Sequence, residues 1–194
     1  MKAVGYKEPG AIDRDDALVD ITLAEPKAEG RDILVEVQAV SVNPVDTKVR
    51  SRAAAEGDGW KVLGWDAAGT VRAVGADVTG FKAGDEVWYA GSIARQGTNS
   101  EFHLVDERIV SKKPASLSFP EAAAMPLTAI TAWEMLFDRL DVRKPVAGAA
   151  DAILVIGGAG GVGSMTIQIL RALTDLTVIA TASRPEPIAW VKEL

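Results

Sequence analysis

The spacing of apolar positions changes period along the chain. Ile33 to Val40, ILVEVQAV, alternates apolar and polar before turning apolar, the pattern of a half-buried strand that becomes fully buried. Gly69 to Val74, Glu86 to Ala90 and Phe102 to Val105 repeat the strand pattern in short form, with Gly75-Ala76-Asp77 and Lys82-Ala83-Gly84-Asp85 as turns. Short strands separated by glycine turns predict a small barrel-like β domain. At Ser118 the texture changes. Ser118-x-x-Glu121 has capping-box spacing ahead of an alanine run, and Trp133, Leu136, Phe137 and Leu140 are spaced to form one helix face after Pro126. From Ala152 an apolar strand enters a glycine-rich turn and a helix, Leu176 to Ala180 reads as the next strand, Pro185 and Pro187 mark a loop, and Ile188 to Leu194 reads as a second helix. There is no internal repeat and no low-complexity segment.

The strand-turn-helix stretch Ala152 to Gly163, AILVIGGAGGVG, carries the strongest chemistry. Its glycines fall as Gly158-x-Gly160-x-x-Gly163, where a Cβ would obstruct a tight turn, the approach of a pyrophosphate or the packing of helix on strand. Gly161, Val162 and the amides up to Ser164 open the helix, with the helix dipole behind them, which suits phosphate charge. The plain alternative is a glycine-rich turn without a ligand. In NAD-preferring sites an acidic residue follows about twenty residues later. This chain has Thr181-Ala182-Ser183-Arg184 instead, a hydroxyl and a guanidinium suited to a 2′-phosphate, and so points to NADPH. A solvated loop arginine is the alternative reading of Arg184.

Composition narrows the class. The 194 residues are 48% hydrophobic and 25% charged, as in ordinary soluble proteins, and the net charge of -6 argues against a nucleic-acid partner. No run is long enough to span a membrane and MKAVGYKEPG lacks the apolar core of a signal peptide, so no membrane partner and a cytoplasmic location are expected. With no cysteine there is no thiolate nucleophile and no cysteine-bound metal, and the sole histidine, His103, cannot build a zinc site alone.

Several separate motifs together carry a family resemblance: Ser41-Val42-Asn43-Pro44-Val45-Asp46, Gly64-Trp65-Asp66-Ala67-Ala68-Gly69, Gly84-Asp85-Glu86-Val87, PLTAITAW, GGAGGVGS and VIATASRP. In this order they resemble the medium-chain dehydrogenase/reductase superfamily, its zinc-independent quinone oxidoreductases, and the group of zinc-type alcohol dehydrogenase-like proteins within it. The resemblance implies an α/β chain with a GroES-like β-barrel catalytic domain over residues 1–124. An incomplete Rossmann domain, the start of a doubly wound parallel sheet, would follow over 125–194. It further implies NADPH-dependent reduction of quinones or activated enones, and a homodimer for the full-length form. Where zinc-dependent relatives place a cysteine, a histidine and a second cysteine, this chain has Asn43, Trp65 and a position near Leu127, so no metal is expected and simple alcohol oxidation is disfavoured.

The resemblance sets Asn43 beside the nicotinamide ribose and Thr128 at the nicotinamide end. Alternatively, Asn43 caps the turn before Pro44 and Thr128 caps its helix. Asp46 and Asp66 are carboxylates at the implied site, Asp66 being the better candidate for bonding backbone amides. Trp65 either floors the substrate pocket or fills the core. His103, in a strand-like segment, reads as structural rather than as a proton donor. Asn43, Thr128, Trp65 and Asp66 thus form the candidate catalytic set, without a Ser-His-Asp arrangement. Ending at Leu194, inside the second helix of the doubly wound sheet, the chain reads as an N-terminal piece of a longer subunit. A nucleotide-binding protein without turnover is the competing function.

Overall fold

Alternation of buried and exposed positions makes antiparallel sheet the main regular structure of the first 126 residues. The computed structural model describes residues 1–194, and they fall into two units, Met1–Pro126 and Leu127–Leu194. In the first, β1 (Lys2–Tyr6) lies between β2 (Val19–Thr22) and the two-residue β4 (Lys61–Val62). A second sheet is built on β3 (Asp32–Ser41), which pairs on one side with β5 (Asp66–Val74) and on the other with β7 (Phe102–Asp106). β6 (Glu86–Ala90) and β8 (Val110–Lys112) complete the order β7-β3-β5-β6-β8. The expected barrel is therefore two sheets, of three and five strands, rather than one closed cylinder. Its core is the inward set Ile33, Val35, Ala67, Val71, Val87, Tyr89, Val105 and Val110. Each large aliphatic side chain buried there contributes roughly 1.5–3 kcal/mol.

Two short helices close this unit. α1 (Pro44–Arg52) starts with proline at its first turn and lays Val45 and Val49 against Tyr6, Leu63 and Trp65. The Tyr6 hydroxyl donates to the carbonyls of Ala53 and Val49, at 2.8 and 3.2 Å, and so satisfies the end of the helix. α2 (Phe119–Ala123) begins with the expected capping box: the Glu121 carboxylate accepts from the Ser118 amide at 2.8 Å, and Ala122 and Ala123 press on Ala68.

The second unit opens with α3 (Pro126–Trp133), which continues into a π-helical turn over Glu134–Arg139. The Leu140 amide reaches back five residues to the Met135 carbonyl at 3.0 Å, and Asp141 follows in the left-handed region at φ 46°. This wider turn breaks the expected apolar face. Leu136 and Phe137 are buried, whereas Trp133 and Leu140 are 46% and 62% exposed. β9 (Ala152–Val155), α4 (Gly161–Leu173) and β10 (Thr177–Ala180) then form a strand-helix-strand unit with β9 and β10 parallel in the register Ala152↔Thr177 to Val155↔Ala180. Val155, Ile167 and Leu170 bury against Leu136 and Phe137, while the outward side chains Leu154, Ile156 and Ile179 stay exposed. The last helix, α5 (Pro185–Glu193), starts three residues before the expected one. Pro185 and Pro187 lie in its first turn rather than in a loop, because a missing N–H costs nothing at a helix start. No helix is long and apolar enough to cross a membrane.

Candidate functional site

The candidate residues divide between the two units. In the first, the strand end Ser41 and the start of α1 place Asn43 beside the start of β5, and the Asn43 Nδ2 donates to Asp66 Oδ2 at 2.9 Å. Both side chains are buried. Asp66 thus accepts from a side-chain amide, and Asp46 is a carboxylate that collects two backbone amides. Its Oδ2 accepts from the Asn43 N–H and its Oδ1 from the Gly64 N–H, each at 2.8 Å. Asn43 occupies the N-cap position of α1, where Asp46 returns the capping-box bond to its N–H, and its Nδ2 is turned to Asp66. Asp46 ties the residue before α1 to the segment before β5, and Asp66 then fixes the plane of the Asn43 amide. Trp65 is buried among Tyr6, Leu63 and α1, and its indole N–H donates to the Ser92 carbonyl at 3.0 Å, which is the core-filling arrangement.

His103 is placed for structure. Gln96 presents a carbonyl oxygen, which can only accept, 3.0 Å from Nε2, so the imidazole carries its proton there. Nδ1 then accepts from the Tyr89 hydroxyl at 3.0 Å, with the two rings stacked 5.6 Å apart. Burial pushes the imidazole down to about 4 and the Tyr89 phenol well above its usual range. A ring held neutral with both nitrogens engaged is unsuited to donating protons near pH 7. No three His, Asp or Glu side chains anywhere gather in a way that could hold a metal ion.

In the second unit the glycine motif is built around a residue outside the expected triplet. Gly157, at φ 70°, makes the turn. Its N–H donates to Thr181 Oγ1 and the Gly158 N–H to the Thr181 carbonyl, both at 2.9 Å. Thr181 therefore fastens the turn to the end of β10, a role whose only trace in the sequence is a hydroxyl directly after a strand. Gly163 is a close-packing position: a Cβ there would overlap the Gly157 carbonyl oxygen and lie 2.8 Å from the Gly158 Cα. Gly160, the N-cap of α4, has no side chain to cap the helix, and a Cβ on it would meet only the Gly157 oxygen at 3.4 Å. The amides of Gly161, Val162 and Gly163 are consequently the first three of a thirteen-residue helix whose N-cap residue supplies no side-chain cap. Thr128, on α3, meets this start directly, since a Cβ on Gly161 would lie 3.0 Å from its methyl carbon. Ser183 and Arg184 are exposed at the head of α5, Arg184 being its N-cap, and Arg184 enters no salt bridge.

Residues 29–115 match the alcohol dehydrogenase GroES-like domain. A zinc-type alcohol dehydrogenase-like protein of Staphylococcus aureus is 44% identical over 195 aligned residues, covering all of this chain and 57% of that protein. A 2-methylene-furan-3-one reductase of Solanum lycopersicum is 35% identical over the whole chain and 50% of its own length. Among solved structures, a Rhizobium etli protein provisionally described as a zinc-dependent alcohol dehydrogenase superposes with a TM-score of 0.97 at 67% identity, over all of this chain and 56% of that one. The Escherichia coli quinone oxidoreductase complexed with NADPH superposes with a TM-score of 0.80 at 28% identity, over all of this chain and 56% of its own. The fold and these likenesses define a chain of mixed α/β class with a GroES-like domain. It belongs to the medium-chain dehydrogenase/reductase superfamily. The chain spans a little over half the length of the first curated relatives it matches.

Proposed function

We propose that this protein is an NADPH-dependent oxidoreductase that delivers hydride to a quinone or an activated enone without zinc, its second unit being the first part of a Rossmann domain. The observation that carries the reading is the uncapped start of α4 over Gly160, beside a turn closed by Thr181 and ahead of an exposed Arg184. Amides at a helix start and the helix dipole favour a pyrophosphate there. Ser183 and Arg184, where an acid would select the 2′-hydroxyl, favour a 2′-phosphate. The quinone oxidoreductase that binds NADPH and the furanone reductase among the relatives support the acceptor class.

The residues do not fit zinc. Asn43 and Trp65 are poor ligands at the positions where metal-dependent relatives coordinate, and their neighbours Asp46 and Asp66 are committed to hydrogen bonds within the unit. A bound nicotinamide would supply the hydride from its C4. The chain's own residues would orient and hold: Asn43, its amide fixed by Asp66, would position the nicotinamide ribose, and Thr128 would pack at the nicotinamide end. Without a metal, a cysteine or a free imidazole the site offers little polarisation of a carbonyl, so the acceptor must stabilise added hydride by its own electronics.

The test is steady-state NADPH oxidation with a benzoquinone and a saturated ketone side by side. Turnover of the quinone and none of the ketone is expected, and Asn43→Ala should lower kcat/KM for the quinone by about tenfold to a hundredfold. Faster turnover of the ketone would overturn the reading. NADPH binding without turnover of either acceptor would leave a nucleotide-binding protein in its place.

A further inference from the structure

α5 is an unusual helix in that none of its residues is buried. Leu194, directly after it, is half-buried in the core of the second unit, and its carbonyl accepts from the Arg171 guanidinium. Within the helix, Val191 packs against the same core, and a Cβ on Gly158 would lie 3.2 Å from its Cγ1. The remaining tie is polar. The Trp190 indole N–H donates to Ser164 Oγ at 2.8 Å, and that hydroxyl in turn donates to the Gly158 carbonyl at 3.3 Å. Ser164 is buried on the first turn of α4, so its hydroxyl joins three things: α4, the glycine turn and α5. Trp190 itself is 45% exposed, and this directed bond fixes where its ring sits against the first turn of α4.

The helix that Trp190 tethers carries Arg184 at its N-cap. A helix is stiff over six residues, about 9 Å of rise, so a rotation or slide of α5 against the glycine turn moves the Arg184 head with it. We infer that Trp190 is a positioning residue for cofactor choice: through Ser164 and Gly158 it sets the distance between the pyrophosphate turn and the Arg184 end of α5. This rests on the assignment of the glycine turn and Arg184 to NADPH under Proposed function. A residue that acted only through stability would weaken both dinucleotides alike. One that aligns Arg184 must weaken NADPH selectively, because NADH has no 2′-phosphate to lose.

Trp190→Phe keeps an aromatic ring and deletes the donor, while Ser164→Ala deletes the same link from the other side. The experiment is equilibrium titration of the parent, both single variants and the double variant with NADPH and with NADH, each shown folded by its thermal transition. Loss of one hydrogen bond should lower the NADPH-over-NADH preference by about threefold to tenfold in either single variant, with NADH affinity changed less than about twofold in Trp190→Phe, which leaves the Ser164 bond to the glycine turn in place. The double variant should lose no more preference than either single one, since both remove one connection. Parent-like preference in both single variants, or equal weakening of the two dinucleotides, overturns the inference while leaving the NADPH assignment intact. A parent protein without preference for NADPH overturns both.

Discussion

Gly163→Ala is expected to disable the second unit's turn outright. The added methyl would overlap the Gly157 carbonyl oxygen and crowd the Gly158 Cα and carbonyl carbon, all of them backbone atoms held by Thr181 on one side and by α4 on the other. No side chain can swing away to make room, so α4 must move off β9. Overpacking of this kind destabilises by about 3 kcal/mol. A lowered thermal transition by circular dichroism, together with loss of measurable NADPH binding, is the expected result. A variant with the parent's transition and NADPH affinity would show that the turn does not need glycine at this position. Gly160→Ala is the informative contrast. Its methyl finds ordinary space against the Gly157 oxygen, so the fold should survive while dinucleotide affinity falls.

The second large effect is on stability against pH. The imidazole of His103 is pushed down to about 4 in the folded chain from an ordinary value near 6.5, chiefly by burial. Folding therefore excludes a proton that the unfolded chain takes up. The stability that the neutral ring contributes is complete above about pH 6.5 and is lost as pH falls toward and through 4, amounting to about 3 kcal/mol by pH 4. Protonation would also reverse that buried bond, with Nδ1–H donating and the Tyr89 hydroxyl turned to accept, which takes its own proton off its partner. Denaturant unfolding between pH 7 and 4 should thus give a decline in the parent that is about 3 kcal/mol smaller in His103→Gln, which cannot take up this proton. Equal declines in the two proteins would contradict the placement of His103 as a buried neutral ring.

Strands with clean alternation were legible in the sequence, because burial on one face writes itself into period two: β3, β5, β6 and β7 fall where the pattern puts them. β4 and β8, at two and three residues, are too short to have a period, and β2 pairs through a sequence, VDIT, that tolerates many conformations. α1 was hidden because Pro44 reads equally as a turn and as a helix start, and Pro185 misled at α5 in the same way. The π-helical turn at Glu134–Arg139 could not be read at all, since the expected face assumes 3.6 residues per turn throughout. For the site, the glycine spacing located the turn, but the strained position is Gly157, one residue earlier, and the hydroxyl that closes it lies twenty-four residues away. Asn43 and Asp66 were legible through the motifs that carry the family resemblance. That they bond each other, while Asp46 holds the amides, depends on β3 and β5 running side by side, which only the register fixes.

Under the proposed function, selection of NADPH is made jointly by the start of α4 and the head of α5. Its most direct measurement is equilibrium titration of the protein with NADPH and NADH, alongside Arg184→Ala. A charge-assisted contact to the 2′-phosphate predicts a preference for NADPH of about tenfold to a hundredfold in the parent, abolished in Arg184→Ala with NADH affinity unchanged. Equal affinities in the parent, or an Arg184→Ala protein that loses NADH as much as NADPH, would contradict it.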